Sequence, residues 1–165
     1  VQTTKISFYE DIANSDGWKS GAGEILEVSI SAPDGQPLKV FSGGENVLLQ
    51  IKAMAHQDLD SPIIGFLVKD RLGQSLFGEN TYRYVQQPFT ASKGEILNAY
   101  FEFSLPLMLN GSYSMTVSLA NGNLQVNTQH HWVHDAMIIQ VQSSAIRYGL
   151  MGIQFTSVAM HKISD

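Results

Sequence analysis

Apolar and polar side chains alternate with a period of two along most of the chain after Gly23. The alternation is most regular over residues 113–119, where Tyr, Met, Val and Leu are separated by Ser and Thr. Successive side chains of a strand point to opposite faces, so this pattern predicts half-buried β-strands. Strands are predicted over residues 26–30, 38–41, 46–55, 62–70, 75–78, 96–105, 113–119, 124–132, 136–142 and 150–163.

Turn signals separate these strands, among them Pro33-Asp34-Gly35 and Asn121-Gly122. Many short strands at this spacing, with no convincing long helix, predict an all-β antiparallel β-sandwich with Greek-key connections. Residues 109–113 read Leu-Asn-Gly-Ser-Tyr and resemble a tyrosine corner, in which a Tyr at a strand start bonds back to the backbone. The side chains expected to face the core are Phe101, Phe103, Tyr113, Met115, Val117 and Leu119.

The chain has 165 residues, which suits one domain of ordinary size. Residues 1–20 lack a clear pattern and are interpreted as an N-terminal connector, so the domain itself is predicted over residues 21–165. Because the chain begins with Val1, it is expected to be a piece of a longer protein. Residues 79–94 are more polar than their neighbours and are predicted to form an irregular loop.

Charged residues make up only 15% of the chain and the net charge is −5. The ten Lys and Arg residues are scattered singly, which argues against nucleic acid and anionic membranes as partners. The chain has no cysteine, which excludes disulfides and thiolate chemistry. A surface rich in Ser, Asn, Gln, Gly and Tyr but poor in charge suits a neutral polar ligand.

No pattern of catalytic or metal-binding residues is convincing. Hydrolysis requires two convergent carboxylates, and spacing pairs none of the candidates. Residues 130–135 read His-His-Trp-Val-His-Asp, but a zinc site would need a further ligand from elsewhere. They are interpreted as residues at a strand edge with Trp132 packed, and no catalytic residue, metal or cofactor is predicted. The carboxylates considered were Glu79, Glu95, Glu102 and Asp135.

Exposed aromatic rings beside polar groups are the candidates for ligand contact. A sugar ring presents flat C–H faces and a rim of hydroxyls, so aromatic planes flanked by amides, carboxylates or Arg suit it. Such groups occur in the loop and on the polar sides of two consecutive strands. They are equally compatible with tyrosines that merely cover loop edges. The predicted carbohydrate-binding residues are Tyr82, Arg83, Tyr84, Tyr100, Glu102, Ser114 and Thr116.

An ordered series of short motifs resembles one protein family. The most specific are Gly-Phe-Leu-Val-Lys-Asp at residues 65–70 and Gly-Gln-Ser-Leu-Phe-Gly-Glu-Asn-Thr at residues 73–81. Further matches lie at residues 21–25, 41–45, 109–113 and 131–136. The series is similar to the C-terminal domain of Wzt-type ATP-binding subunits of O-antigen polysaccharide ABC transporters, and among these to polymannose exporters.

This resemblance implies an immunoglobulin-like sandwich that follows an ATPase domain and has no catalytic activity of its own. It implies binding of the nonreducing end of lipid-linked O-antigen polysaccharide, on the cytoplasmic side of a bacterial inner membrane and together with a membrane subunit. Two alternatives stay open at this point. One is a secreted β-sandwich that serves adhesion or protein contact, and the other is a glycosidase or metal-dependent enzyme.

The resemblance also implies a homodimer with an exchanged terminal strand. Residues 150–163 have one apolar side, and they follow Arg147-Tyr148-Gly149, which is interpreted as a hinge. A terminal strand with a flexible lead-in completes a neighbour's sheet as readily as its own, because the same hydrogen bonds form. The segment is therefore expected to be a strand exchanged or paired between two copies.

Overall fold

The computed structural model describes residues 5–7, 17–19, 21–123, 127–146, 148–153 and 155–163. Within these residues the chain forms ten β-strands, and no helix there is long and apolar enough to cross a membrane. The strands are β1 Lys5–Ser7, β2 Gly17–Lys19, β3 Gly23–Ser31, β4 Val40–Phe41, β5 Asn46–Ala55, β6 Pro62–Lys69, β7 Ser75–Asn80, β8 Ile96–Ser104, β9 Gly111–Gly122 and β10 Asn127–Val141.

Two sheets face each other. Sheet I has the strand order β1-β3-β5-β8, and sheet II has the order β2-β10-β9-β6-β7, with β4 pairing β10. All pairs are antiparallel except β4 with β10. The chain changes sheet after every strand from β1 to β8 except β6, which confirms the predicted immunoglobulin-like sandwich with Greek-key connections.

The alternation in sequence becomes an inner and an outer face in each sheet. In β5 every second residue from Val47 to Ala55 is buried and the residues between them are not. In β9 the predicted core residues Tyr113, Met115, Val117 and Leu119 are all buried. Phe101 and Phe103 of β8 are only half-buried, but both pack against the core.

A histidine links the two sheets inside the sandwich. His131 of β10 is 3% exposed, and its Nδ1 accepts a hydrogen bond of 2.9 Å from the backbone N–H of Ile25 in β3. This bond satisfies a buried backbone donor that would otherwise be costly. His131 therefore has a structural role, and it faces the opposite side of the strand from Trp132.

The tyrosine corner is confirmed. The hydroxyl of Tyr113 donates a hydrogen bond of 2.6 Å to the backbone carbonyl of Leu109, four residues upstream. Burial, with the nearby negative charge of Asp70 as a smaller cause, raises the pKa of Tyr113. The bond fixes the start of β9 at the point where the chain crosses from sheet I to sheet II.

Tyr113→Phe is expected to lower the free energy of unfolding by about 1 kcal/mol, because it removes one buried hydrogen bond. The folded-state pKa lies above the unfolded value near 10, so the hydroxyl's contribution is complete below about pH 10 and lost as pH rises through the folded pKa. Urea titrations of both proteins at pH 8 and pH 10.5 test this, and the difference should shrink at the higher pH. Tyr148→Phe, at a tyrosine that is 90% exposed, should leave stability unchanged at pH 8.

Within the single chain, the described residues over 150–163 form no strand, whereas a strand paired between two copies stays a prediction. Their large apolar side chains are exposed, from 72% at Ile153 to 96% at Ile163. The chain leaves the sandwich through Gly149, whose φ of 75° suits glycine. We call residues 150–163 the C-terminal tail. None of the tail residues that the structure describes is a buried apolar residue, since those run from Ala22 to Val141.

Two short strands lie before residue 21, within the predicted connector. β1 pairs with β3 at the edge of sheet I, and β2 pairs with β10 at the edge of sheet II. The boundary between connector and domain at residues 20 and 21 stays a prediction.

Candidate functional site

A cleft opens on the side of the sandwich where the two sheets end in β7 and β8. Neither strand has a further neighbour in its sheet among the described residues, so the sheets part there and leave a cavity of about 580 Å³. This volume lies within the range of small-molecule binding sites. We call it the edge cleft.

The floor of the edge cleft is aromatic. Phe66 of β6 lies 5.0 Å from Phe101 and 5.7 Å from Phe103 between ring centroids, so the contact runs from sheet II to sheet I. Phe77 of β7 lies 6.3 Å from Phe66 and 6.1 Å from Phe103. Of the four rings only Phe66 is buried, and the other three are half-buried because the cleft exposes them.

The rim of the edge cleft is polar, and a tight turn over residues 81–84 places Tyr84 on it. The backbone N–H of Tyr84 donates to the carbonyl of Thr81 at 3.0 Å, and the N–H of Tyr82 donates to Asn80 Oδ1 at 3.0 Å. The turn brings Tyr84, which is 73% exposed, to the cleft. Its hydroxyl donates to Glu79 Oε2 at 3.0 Å.

The tyrosine hydroxyl at the rim remains a donor at neutral pH. The hydrogen bond to Glu79, and then the negative charge of that carboxylate, raises the pKa of Tyr84. Glu79 also accepts a bond of 2.9 Å from the backbone N–H of Asn80 through Oε1. The pair is thus held as a fixed group of one ring, one hydroxyl and one carboxylate.

The opposite rim is formed by the outer side of β8. Tyr100 is 59% exposed, and its hydroxyl accepts a bond of 3.4 Å from Gln50 Nε2, which also donates to Asn98 Oδ1 at 3.3 Å. Glu102 follows on the same side of the strand and also lines the cleft. The rim therefore carries two tyrosines, two carboxylates and an amide above an aromatic floor.

The structure brings together three of the seven predicted site residues. Tyr84, Tyr100 and Glu102 line the edge cleft. Tyr82 and Arg83 lie on the neighbouring turn but do not line it. Residues 79–94 were predicted to form an irregular loop, and within it Tyr82, Arg83 and Tyr84 form a turn.

The other two predicted residues lie on a different sheet. Ser114 and Thr116 were predicted on the polar side of the strand that follows that of Tyr100, and this strand, β9, belongs to sheet II whereas β8 belongs to sheet I. Their side chains point outward from sheet II and cannot join Tyr100. Thr116 lines a second hollow on that sheet, whereas Ser114 lines neither this hollow nor the edge cleft.

The second hollow lies on the outer face of sheet II and has a volume of about 330 Å³. It crosses β7, β6, β9 and β10, and we call it the outer hollow. Sequence analysis missed most of its residues, although the alternation of Trp132 and His134 was a usable signal. It is lined by Gly65, Phe66, Leu67, Gly78, Glu79, Asn80, Thr116, Ser118 and Trp132.

The histidine-rich string divides between the two faces of β10. Trp132 Nε1 donates to His134 Nδ1 at 3.3 Å on the outer face, whereas His131 points into the core. The side chain of His130 lies outside the described residues. Among the side chains that are described, no three His, Cys, Asp or Glu residues gather as metal ligands would.

The two-sheet fold and the open cleft between its edge strands define a β-sandwich binding domain. The family model described as the Wzt C-terminal domain matches residues 14–153, so the chain belongs to that family. The fold is similar to the solved crystal structure of the C-terminal domain of wzt, with a TM-score of 0.78 and 19% sequence identity over 89% of each chain. No curated protein matches the chain.

Membership of this family confirms the resemblance carried by the ordered motifs. At the level of the family it supports a carbohydrate-binding role in O-antigen transport, in association with an ABC transporter. The domain of this family is non-catalytic, and it is the C-terminal part of a cytoplasmic subunit.

Proposed function

We propose that the edge cleft binds the nonreducing end of lipid-linked O-antigen polysaccharide for export by an ABC transporter. The observation that carries this proposal is the pairing of two exposed tyrosines, Tyr84 and Tyr100, with carboxylates and an amide around an aromatic floor. Tyrosine rings offer flat apolar faces to the C–H faces of sugars, and the polar groups bond to the hydroxyls.

The contacts divide according to their place around the cleft. Tyr84, Tyr100 and Glu102 contact the terminal sugar directly, since they line the cleft. Tyr82 and Arg83 on the neighbouring turn reach a ligand that extends beyond it. Recognition leaves the polymer intact, and the parent protein supplies ATP hydrolysis through a separate ATP-binding domain.

Tyr84→Ala and Tyr100→Ala are each expected to weaken binding of the cognate O-polysaccharide by about tenfold or more, because each removes one sugar-facing ring. Isothermal titration calorimetry with the cognate polymer and with a foreign O-polysaccharide measures this. Ile96→Ala is the matched control, since Ile96 is 53% exposed on the outer side of β8 but does not line the cleft.

The proposal fails if both tyrosine variants bind the cognate polymer as tightly as wild type while retaining its circular dichroism spectrum. Equal binding of the foreign polymer by the wild-type domain would contradict selective recognition. Release of reducing sugar during the titration would contradict a non-catalytic role.

We further propose that the domain is a homodimer in which the C-terminal tail of each copy pairs with the other. The supporting observation is that the large apolar side chains described in the tail are exposed in the single chain. Exposed apolar residues on this scale mark interaction sites. The exposed tail side chains are Leu150, Met151, Ile153, Phe155, Val158, Met160 and Ile163.

A further inference from the structure

Strand register aligns four residues in one row across the outer face of sheet II. Gly65 of β6 is the partner of Asn80 in β7 and of Ser118 in β9, and Ser118 is the partner of Trp132 in β10. At about 4.8 Å between neighbouring strands, the row extends roughly 14 Å. It forms the length of the outer hollow.

The absence of a side chain at Gly65 keeps the middle of this row open. A Cβ atom there would lie 3.1 Å from Asn80 Cβ and 3.4 Å from Ser118 Oγ. Any side chain longer than a methyl group would therefore fill the space between those two polar residues. The hollow thus has a backbone floor, with an amide on one side and a hydroxyl on the other.

Trp132 is a fixed aromatic surface at one end of the outer hollow, and its register partner in the next strand is Trp18 of β2. Its Nε1 donates to His134 Nδ1 at 3.3 Å, with the two ring centroids 5.9 Å apart, and Thr116 Oγ1 lies 3.5 Å from the same Nδ1. The indole N–H is thereby satisfied, and the half-buried ring adds apolar surface to the hollow. An anchored ring beside an amide and a hydroxyl suits a sugar.

The low charge of the outer hollow favours a neutral ligand. Asn80, Gly65, Ser118 and Trp132 carry no ionisable side chain, and among the described residues that line the hollow the charged one is Glu79. A neutral, hydroxyl-rich ligand fits this surface better than a phosphate or an acidic peptide.

The outer hollow and the edge cleft meet at β7. Phe66, Gly78 and Glu79 line both. Gly78 has no side chain, so at this position of β7 no side chain stands between the cleft and the hollow. A chain that leaves the cleft can therefore pass over β7 at Gly78 and continue across the sheet.

We propose that the outer hollow is a second carbohydrate subsite, which holds sugars of the same polysaccharide whose end occupies the edge cleft. The proposal rests on the proposed function of the cleft. Binding then depends on the length of the sugar chain, because only chains that extend beyond the cleft reach Trp132.

The test uses oligosaccharides of increasing length prepared from the nonreducing end of the cognate polymer. In calorimetric titrations, affinity for wild type should rise by about tenfold once the chain is long enough to reach the hollow. Trp132→Ala should bind the shortest ligands as wild type does but lose this rise. Ile138→Ala is the control, since it is 51% exposed on β10 and does not line the hollow.

A second variant and a second readout keep the test independent of how well Trp132→Ala folds. Ser118→Leu fills the hollow without removing the indole and should also abolish the rise. In a Trp18→Phe protein, Trp132 is the remaining tryptophan, and its fluorescence should respond to long but not to the shortest oligosaccharides.

The outcomes separate this proposal from the function of the cleft. If both variants keep the full rise in affinity, the outer subsite is wrong while the cleft stands. A second outcome is that Trp132→Ala no longer binds the shortest oligosaccharides while Tyr84→Ala and Tyr100→Ala bind them as wild type does. The nonreducing end would then be bound at the outer hollow. Both the function proposed for the cleft and the second subsite would be wrong.

Discussion

A chain that ends at Gly149 is expected to be a folded monomer, whereas the 165-residue chain is expected to form the proposed dimer. The sandwich core lies between Ala22 and Val141, so removal of the tail leaves both sheets intact. Each large apolar side chain that a partner buries contributes about 1.5–3 kcal/mol. Losing several of them should raise the dimer dissociation constant by orders of magnitude. Size-exclusion chromatography with light scattering, together with far-ultraviolet circular dichroism, measures mass and fold.

A single substitution gives a milder version of the same experiment. Phe155→Ser, at a tail residue that is 72% exposed, should weaken the dimer, whereas Leu72→Ser, at a residue that is 75% exposed in the turn before β7, should not. A full chain that stays monomeric at high concentration, or a truncated chain that stays dimeric, would show that the tail is not the dimer contact.

The sequence predicts the strands and their inner faces well, because a period of two is a local property of the chain. The alternation over β5 reappears as buried and partly buried side chains, and in β9 the predicted core positions are buried, although Thr116 between them is buried as well. The tyrosine corner is equally local, since Tyr113 bonds to a carbonyl four residues away.

Assignment of strands to sheets could not be predicted in this way. β8 and β9 are consecutive and both alternate, and a hairpin between them would have the same pattern. They lie in different sheets because residues 105–110 cross the end of the sandwich, with Leu105 and Met108 buried on the way. The polar faces of the two strands consequently point to opposite sides of the molecule, and the predicted site divides between them.

Residues of the candidate site could be predicted where the type of side chain and its local position identify them. They could not be predicted where strand register brings distant residues together. Tyr84, Tyr100 and Glu102 stood out as aromatic and acidic groups at outward or loop positions. The row at Trp132 depends on the register of four strands, which joins residues as far apart as Gly65 and Trp132. Trp132 was interpreted as packed. The sequence does not show that Gly65 of β6 lies in the same row, on the other side of Ser118 in β9, and leaves the space beside the indole open.

The phenylalanine cluster under the edge cleft links stability to recognition. Phe66 is 8% exposed and contacts Phe77 on its own sheet and Phe101 and Phe103 on the other. Elsewhere the sheets are held by fully buried aliphatic residues such as Leu49 and Leu119. At the open side the two sheets meet through these rings, so the width of the cleft depends on them.

Phe66→Ala is therefore expected to lower the free energy of unfolding by about 3–5 kcal/mol, from lost burial, a cavity and lost ring contacts. For a chain of this size the melting temperature should fall by about 10 °C. Affinity for the cognate polysaccharide should fall as well, because the floor of the cleft is removed. Thermal unfolding and calorimetry measure the two effects.

Phe89→Ala, at a loop ring that is 37% exposed and outside the cluster, should change stability far less. Equal losses for the two variants would show that the cluster does not hold the sheets together, and unchanged polymer binding by a folded Phe66→Ala protein would remove the aromatic floor from the site.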